Sequence, residues 1–123
     1  MKNDKLDKLF SLYIRLLCDF TCKRCSKKHL TNSRGLHCAH YHSRGKLSTR
    51  FERDNATALC YGCHIYLDHH PPEKAEFFLN LLGLKRFNEL DKLANTPAVG
   101  VNRIGREDIE RKLKRRIKLM EDK

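Results

Sequence analysis

The sequence predicts a small α+β protein that is mostly helical. Apolar residues recur at helical spacing along most of the chain, two short segments near its middle have strand character, and two C-x2-C motifs have the spacing of a zinc site. The chain has 123 residues, a length that suits one domain with short extensions. Hydrophobic residues make up 40% of it and Trp is absent. The apolar core is therefore expected to be modest, and a bound metal would stabilise it.

Five segments are predicted to be helical, three of them because their apolar residues fall on one face. The first, residues 4–18, places Leu6, Phe10 and Ile14 on such a face with charged residues between them. Segments 72–82 and 106–121 share this periodicity, and 61–69 and 84–94 are predicted to form two further short helices. Residues 95–105 contain one proline and two glycines, a composition typical of a linker.

The region between the two cysteine motifs is predicted to contain a two-stranded antiparallel unit. Residues 35–42, which are rich in His and Tyr, would form the first strand, and residues 47–59 would contain the return strand, which ends at 56–59. The connection between them is expected to be long and irregular.

The charge balance predicts a polyanionic partner. Lys and Arg number 26 against 15 Asp and Glu, which gives a formal net charge of +11. Nucleic acid is the first candidate partner and an anionic membrane surface the second. No apolar run is long enough to span a bilayer, and the N-terminal residues contain no apolar secretory stretch. A cytoplasmic protein that is not inserted in a membrane is therefore expected.

Four of the six cysteines form two closely spaced pairs, Cys22 with Cys25 and Cys60 with Cys63. Two such pairs supply the four thiolates of a tetrahedral Zn2+ site, and four thiolates leave no open position, so the zinc would be structural. Two disulfides or four free thiols are the alternative. A reducing cytoplasm favours the metal.

The two remaining cysteines are predicted to be packing residues. Cys18 ends an apolar helix and is expected to behave as a small buried hydrophobe. Cys38 is expected to pack within a strand, although its position between His37 and His40 leaves metal ligation open.

The order of several residues resembles the HNH endonuclease family. His40 precedes Asn55, and Asn55 precedes the run Cys60-Tyr61-Gly62-Cys63-His64. In that family a hairpin and a helix, the ββα-metal fold, hold one divalent ion. The earlier C-x2-C pair is similar to the zinc pair of many HNH proteins and of phage endonuclease VII. The segments CAHY at 38–41 and RFERDN at 50–55 look most like the phage Rap/NinG-type recombination nucleases, and the resemblance covers roughly residues 20–83.

The resemblance implies a role for three residues. His40, a neutral imidazole at the end of the first strand, would act as the general base, a task that His performs near neutral pH without special tuning. His64 would ligate a catalytic Mg2+ or Mn2+ ion. Asn55 would orient the loop and the general base through backbone hydrogen bonds. His29 and His37 receive no such role and are expected to be solvent-facing or hydrogen-bonded structural residues.

One position departs from the family pattern. HNH enzymes commonly place an Asp or His directly before the general base as a metal ligand, and this chain has Ala39 there. Asp68, four residues after His64 on the same helical face, is the first candidate for a replacement ligand, followed by His42 and then His69. Phosphate oxygens and water could instead complete the coordination of Mg2+.

Basic side chains are concentrated in the predicted hairpin and its loop. In the HNH family the hairpin and helix straddle the minor groove, so the resemblance implies phosphate contacts from these side chains: Arg44, Lys46, Arg50 and Arg53. Phosphate contacts position a protein without reading sequence and make its binding dependent on salt.

The chain is therefore expected to comprise an N-terminal helix (1–19), a zinc-stapled HNH nuclease core (20–83) and a basic helical extension (84–123). The expected activity is metal-dependent hydrolysis of DNA phosphodiesters. Similarity to the Rap/NinG nucleases implies double-stranded or branched, Holliday junction-like substrates, a homodimer that cuts two strands, and a phage or prophage origin. The alternative is a non-catalytic zinc-binding module that binds nucleic acid as a recombination accessory factor. This alternative stays open because Ala39 stands where the family commonly has a metal ligand.

Overall fold

A computed structural model describes residues 3–97 and 103–122. Within these residues the chain folds into five helices and a two-stranded sheet, in the order α1 (Lys5–Leu17), β1 (Leu36–His40), β2 (Ala56–Cys60), α2 (Tyr61–Asp68), α3 (Pro71–Leu82), α4 (Leu84–Ala94) and α5 (Arg103–Glu121). A short 3-10 turn, Arg53–Asn55, leads directly into β2. The predicted α+β class with a high helix content is confirmed.

The two strands pair antiparallel in a register that sets the position of both ends of the hairpin. Leu36 pairs with Cys60 at one end, and His40 pairs with Ala56 at the other. The first end lies beside the Cys60–Cys63 motif, while the second brings His40 next to the turn that contains Asn55. The long connection predicted between the strands is confirmed as residues 41–55.

The N-terminal helix α1 begins with a reciprocal cap and packs on the sheet and on α5. The side chain of Asp4 accepts a hydrogen bond from the Asp7 N–H at 2.9 Å, and the side chain of Asp7 accepts one from the Asp4 N–H at 3.0 Å. The apolar face predicted for this helix joins a buried cluster with Ala56 of β2 and with Leu113 and Ile117 of α5. The two terminal helices therefore share one core with the hairpin.

A second buried cluster surrounds the cysteine motifs. It includes Cys22, Cys63 and Leu67 together with Ala39 of β1, whereas the neighbouring Cys38 packs against the cluster of α1 and α5. Successive strand residues point to opposite faces, and this alternation explains why Ala39 and Cys38 belong to different clusters.

The predicted helix boundaries agree with the structure except at the C-terminal linker. The α5 helix begins at Arg103, so a linker that extends to residue 105 is wrong at its end, and residues 98–102 lie outside the described part of the chain. Among the described residues, no helix combines the length and the apolar character needed to cross a bilayer.

Candidate metal centre and histidine cleft

The four paired cysteines come together in one cluster. The Sγ atoms of Cys22, Cys25, Cys60 and Cys63 all lie within 4.8 Å of one another. The Sγ atoms of Cys25 and Cys60 are 3.7 Å apart, far longer than a disulfide bond of about 2.0 Å. This separation is close to the edge of about 3.8 Å in a tetrahedron with Zn–S bonds of about 2.3 Å. The cluster therefore fits a four-sulfur zinc site, with no ligand position left for catalysis.

Each cysteine pair is shaped by its own backbone. The Sγ of Cys22 accepts a hydrogen bond from the Cys25 N–H, and the Sγ of Cys60, the residue that caps α2, accepts one from the Cys63 N–H, both at 3.5 Å. Burial raises the pKa of the Cys22 thiol, but backbone N–H groups around the sulfur outweigh burial and lower this pKa to about 6. Burial raises the pKa of Cys63 to about 12, so zinc would have to displace its proton.

Contacts outside the cluster tie the first cysteine pair to the rest of the fold. The Lys23 N–H donates to the carbonyl of Ala58 in β2 at 2.9 Å. The Arg24 guanidinium donates to the Sγ of Cys63 at 3.4 Å and lies over the Tyr66 ring of α2, 4.4 Å from its centroid. A cation beside the sulfurs offsets part of the negative charge that four thiolates would place on a zinc site.

A cleft of about 550 Å³ opens beside the hairpin between α1, β1 and α2. His40 at the end of β1 and His64 in the first turn of α2 both line it. These are the two histidines to which the HNH resemblance assigns chemistry, so residues 24 positions apart in the sequence face one cavity.

His40 is held in one tautomer by the connection between the strands. Its Nε2 lies 3.1 Å from the backbone carbonyl of Arg50. A carbonyl only accepts hydrogen bonds, so Nε2 carries the proton and Nδ1 carries the lone pair of the neutral ring. Burial lowers the pKa of His40 below 6.5, the carbonyl of Arg50 opposes this, and the charge of Arg44 adds to it. The ring is therefore neutral at pH 7 and able to accept a proton.

Asn55 fixes the chain that follows His40. Its side chain is fully buried, its Oδ1 accepts from the His42 N–H at 2.8 Å, and its Nδ2 donates to the His42 carbonyl at 3.0 Å. The Asn55 carbonyl also accepts from the Tyr41 N–H at 2.8 Å. These three bonds hold the first two residues after His40, so Asn55 positions the imidazole through the backbone.

His64 lies between two partners, one at each ring nitrogen. Its Nδ1 is 2.9 Å from the Nδ1 of His37, and its Nε2 is 3.4 Å from the Oδ2 of Asp68. The other carboxylate oxygen of Asp68 is bound by the Lys74 ammonium at 2.8 Å. Burial lowers the pKa of His64; Asp68 opposes this shift, whereas His37 and Lys74 reinforce it.

The three candidate replacements for the missing ligand at Ala39 lie in different surroundings. Asp68 lines the cleft beside His64. His42 does not line the cleft, because its Nε2 is paired with Asp91 of α4 at 2.8 Å. His69 is exposed at the end of α2 and also lies outside the cleft lining. Ala39 itself is fully buried in the cysteine-side cluster.

The expectation that Arg50 contacts phosphate is wrong. Its side chain is only 8% exposed, and its Nε and Nη2 donate to the two carboxylate oxygens of Asp7 at 3.0 and 2.6 Å. Arg44 lines the cleft and lies 3.5 Å from the same carboxylate. Lys46 and Arg53 are exposed. Of the four basic side chains predicted to contact phosphate, Arg44, Lys46 and Arg53 therefore remain candidates for that role.

Sequence reasoning missed the place of His37 in this cleft. His37 is half-buried, lines the cavity and contacts His64. The signal was present, since residues two apart in a strand share a face. His37 therefore points to the same side of β1 as Ala39, where the family pattern calls for a ligand.

Comparison with family models, with curated proteins and with solved structures found no match. The HNH resemblance therefore remains a prediction from the motif.

Proposed function

We propose that the protein is a metal-dependent endonuclease that hydrolyses DNA phosphodiester bonds in the histidine cleft, with His40 as the general base. The observation that carries the proposal is the pairing of His40 and His64 on one cavity. The His40 ring is fixed by its Nε2–H, which leaves the lone pair on Nδ1. The His64 ring is held in the first turn of α2, next to the cysteine cluster.

Four side chains of this protein and one divalent ion would divide the reaction between them. His40 Nδ1 takes a proton from the attacking water, while its Nε2–H stays on the Arg50 carbonyl and keeps the ring aligned. Arg44 and Lys74, which line the cleft, hold the phosphate oxygens of the substrate. A divalent ion held at His64 would neutralise charge that develops on the phosphate and on the leaving oxygen.

Charge and resemblance together support DNA as the substrate. The net charge of +11 favours a polyanion, and the similarity to the Rap/NinG nucleases favours branched recombination intermediates cut by a homodimer. Cleavage of a synthetic four-way junction, compared with linear duplex of the same sequence, tests this substrate preference.

Nicking of supercoiled plasmid by the zinc-loaded protein tests the activity. Mg2+, Mn2+ and Ni2+ are supplied in turn, and His40→Ala is compared with wild type and with His69→Ala, a matched control outside the cleft lining. Loss of a general base costs about 100- to 10,000-fold in rate, so His40→Ala should be nearly inactive and His69→Ala unaffected. Equal cleavage by His40→Ala would reject the role of His40, and circular dichroism checks that the variant folds.

Ala39 favours a second candidate function, a zinc-stapled module that binds nucleic acid without cutting it. The position before His40 carries a methyl group that is fully buried, so it offers no ligand. Salt-sensitive DNA binding by the wild type, with no cleavage in any of the three ions, would establish this module and overturn the nuclease.

A further inference from the structure

We propose that the ion of the cleft is held by Nδ1 of His37 together with Nδ1 of His64, and that Asp68 orients His64 without ligating the ion. The proposal rests on the proposed function for the role of the ion, although binding of the ion can be measured by itself. It assigns the missing ligand to a residue three positions before His40, whereas the HNH pattern places it directly before the base.

The distance between the two imidazoles fits a shared ion. The nitrogens are 2.9 Å apart and the ring planes are nearly perpendicular, at 81°. An ion about 2.1 Å from both nitrogens would see them about 90° apart, the angle between neighbouring positions of an octahedron. The ring centroids are 5.2 Å apart, so each Nδ1 points directly at the other, and both rings would turn toward the ion as it enters. When the ion enters, the proton shared between the two Nδ1 atoms moves to Nε2 of His37, so both rings stay neutral and both Nδ1 lone pairs are offered to the ion.

The contacts of Asp68 place it on the far edge of the His64 ring. Its carboxylate lies at Nε2, the nitrogen that points away from His37. A ligating His commonly donates its other ring N–H to a carboxylate, which fixes the tautomer and makes the ligand more basic. The Lys74 ammonium already binds this carboxylate at 2.8 Å, and it would repel a second cation placed there.

The neighbouring residues hold His37 in a position to act as a ligand. His37 pairs with Leu59, next to the Leu36–Cys60 end of the hairpin ladder, and the Tyr61 ring contacts its imidazole edge to face, with centroids 5.8 Å apart. His64 follows the last cysteine of the cluster directly. The two ligands therefore lie on elements next to the cysteine cluster: α2 carries Cys63, and β1 pairs with the strand that ends at Cys60.

The proposed ligand pair predicts which ions bind. Imidazole nitrogens prefer Ni2+, Co2+ and Zn2+, whereas Mg2+ prefers oxygen ligands. The cleft should therefore take Ni2+ more tightly than Mg2+, in contrast to the expectation of Mg2+ or Mn2+ from the resemblance.

Calorimetric titration of the zinc-loaded protein with Ni2+ tests the assignment. Wild type should bind one additional Ni2+ with no release of zinc. Asp68→Asn should weaken binding by about 10- to 100-fold, as expected for an orienting partner. His37→Ala and His64→Ala should each weaken it by about 100-fold or more, and His69→Ala should leave it unchanged. His37→Gln, which retains size and hydrogen bonding, replaces His37→Ala if that variant loses zinc or helix content.

Each pattern of results has a defined meaning. Undiminished Ni2+ binding by His37→Ala and His37→Gln overturns the assignment. Loss of binding in the His64 and Asp68 variants alone also overturns it, because that result would make Asp68 the second ligand. The nicking assay is read separately. A wild type that binds Ni2+ through both histidines and cuts no DNA in any ion supports this site and overturns the proposed nuclease.

Discussion

The Nε2 of His40 donates to the backbone carbonyl of Arg50 at 3.1 Å, and the guanidinium of the same Arg50 is clamped by both carboxylate oxygens of Asp7. The His40 ring is thus aligned by the main chain of Arg50, and the side chain of Arg50 forms a buried ion pair with Asp7. Arg50 is a positioning residue, and its charge is directed into the protein instead of toward a ligand.

Substitution of Arg50 should therefore lower the cleavage rate, whereas substitution of Arg44 should lower the salt dependence of DNA binding. We expect Arg50→Gln to lower the cleavage rate by about 100-fold through displacement of His40, with the salt dependence of DNA binding unchanged. Arg44→Gln should lower the slope of log K against log salt by about 0.9, the value for one lost phosphate contact. Filter binding over a salt series and single-turnover cleavage measure the two quantities. A reduced slope in Arg50→Gln would show that Arg50 contacts phosphate.

The ion pair between Asp7 and Arg50 should stabilise the fold above acidic pH. Burial raises the pKa of Asp7, but the hydrogen bonds from Arg50 and from the Asp4 N–H, together with the charges of Arg50 and Arg44, outweigh burial and hold that pKa below 3.8. A carboxyl group with a lowered pKa in the folded state contributes stability above its unfolded pKa and loses it as the pH falls through the folded pKa. We expect the free energy of unfolding to fall below about pH 4, and to fall less in Asp7→Asn.

Urea unfolding at neutral pH gives the size of this contribution. Asp7→Asn should lower the free energy of unfolding by about 3–5 kcal/mol, because the buried Arg50 charge then keeps only the longer, 3.6 Å ion pair with the partly exposed Asp4. Asp19→Asn is the control, since Asp19 is exposed and bridges only to a surface lysine, and it should cost less than about 1 kcal/mol. Equal stability of Asp7→Asn and wild type would contradict the buried anchor.

The pH dependence of cleavage should report the environment of His40. Since burial lowers the pKa of His40 below 6.5, the neutral base persists into mildly acidic solution, and activity should fall only below that pH. The nearby charge of Arg44 contributes to the lowering, so Arg44→Gln should move the acidic limb to higher pH. Rates measured at saturating metal ion test both shifts. A midpoint above 6.5 in the wild type would argue against a buried His40 as the base.

Asn55 should contribute to stability and to activity through the backbone of His42. Asn55→Ala removes the side-chain hydrogen bonds to both the N–H and the carbonyl of His42. It should lower the free energy of unfolding by about 2–4 kcal/mol, since each buried peptide group left without a hydrogen bond costs about 1–3 kcal/mol. Asn80→Ala, on the exposed side of α3, is the matched control and should change little. Urea unfolding measures both variants, and a stable but slow Asn55→Ala would show a positioning role alone.

Removal of zinc should unfold the hairpin and α2 together. Cys25→Ser or a strong chelator should abolish zinc binding and the protection of β1 and α2 amides from hydrogen exchange. Cys38→Ala should keep one zinc ion per chain, because Cys38 lies outside the cluster and burial raises its pKa to about 12. A folded, exchange-protected hairpin in the chelated protein would contradict the structural role of the cysteine cluster.

Local patterns predicted the elements, whereas long-range contacts decided the chemistry of individual side chains. Helical periodicity identified α1, and the C-x2-C spacing identified each pair of cysteine ligands, because each of these signals lies within a few residues of the sequence. The burial of Arg50 depends on Asp7, which is 43 residues away in the sequence. His37 meets His64 across 27 residues. Such pairings follow from the packing of α1 and α2 on the hairpin, and residue types alone did not indicate them.

The hairpin register has a consequence for insertions and deletions. A slip of one residue between β1 and β2 would exchange the faces of Ala39 and His40, which would turn the imidazole into the core and the methyl group toward the cavity. The cysteine cluster holds the Leu36–Cys60 end of the hairpin in place, and the turn that contains Asn55 holds the His40–Ala56 end. A one-residue change in length within either strand should therefore abolish function, whereas the exposed tip at 45–47 should accept added residues.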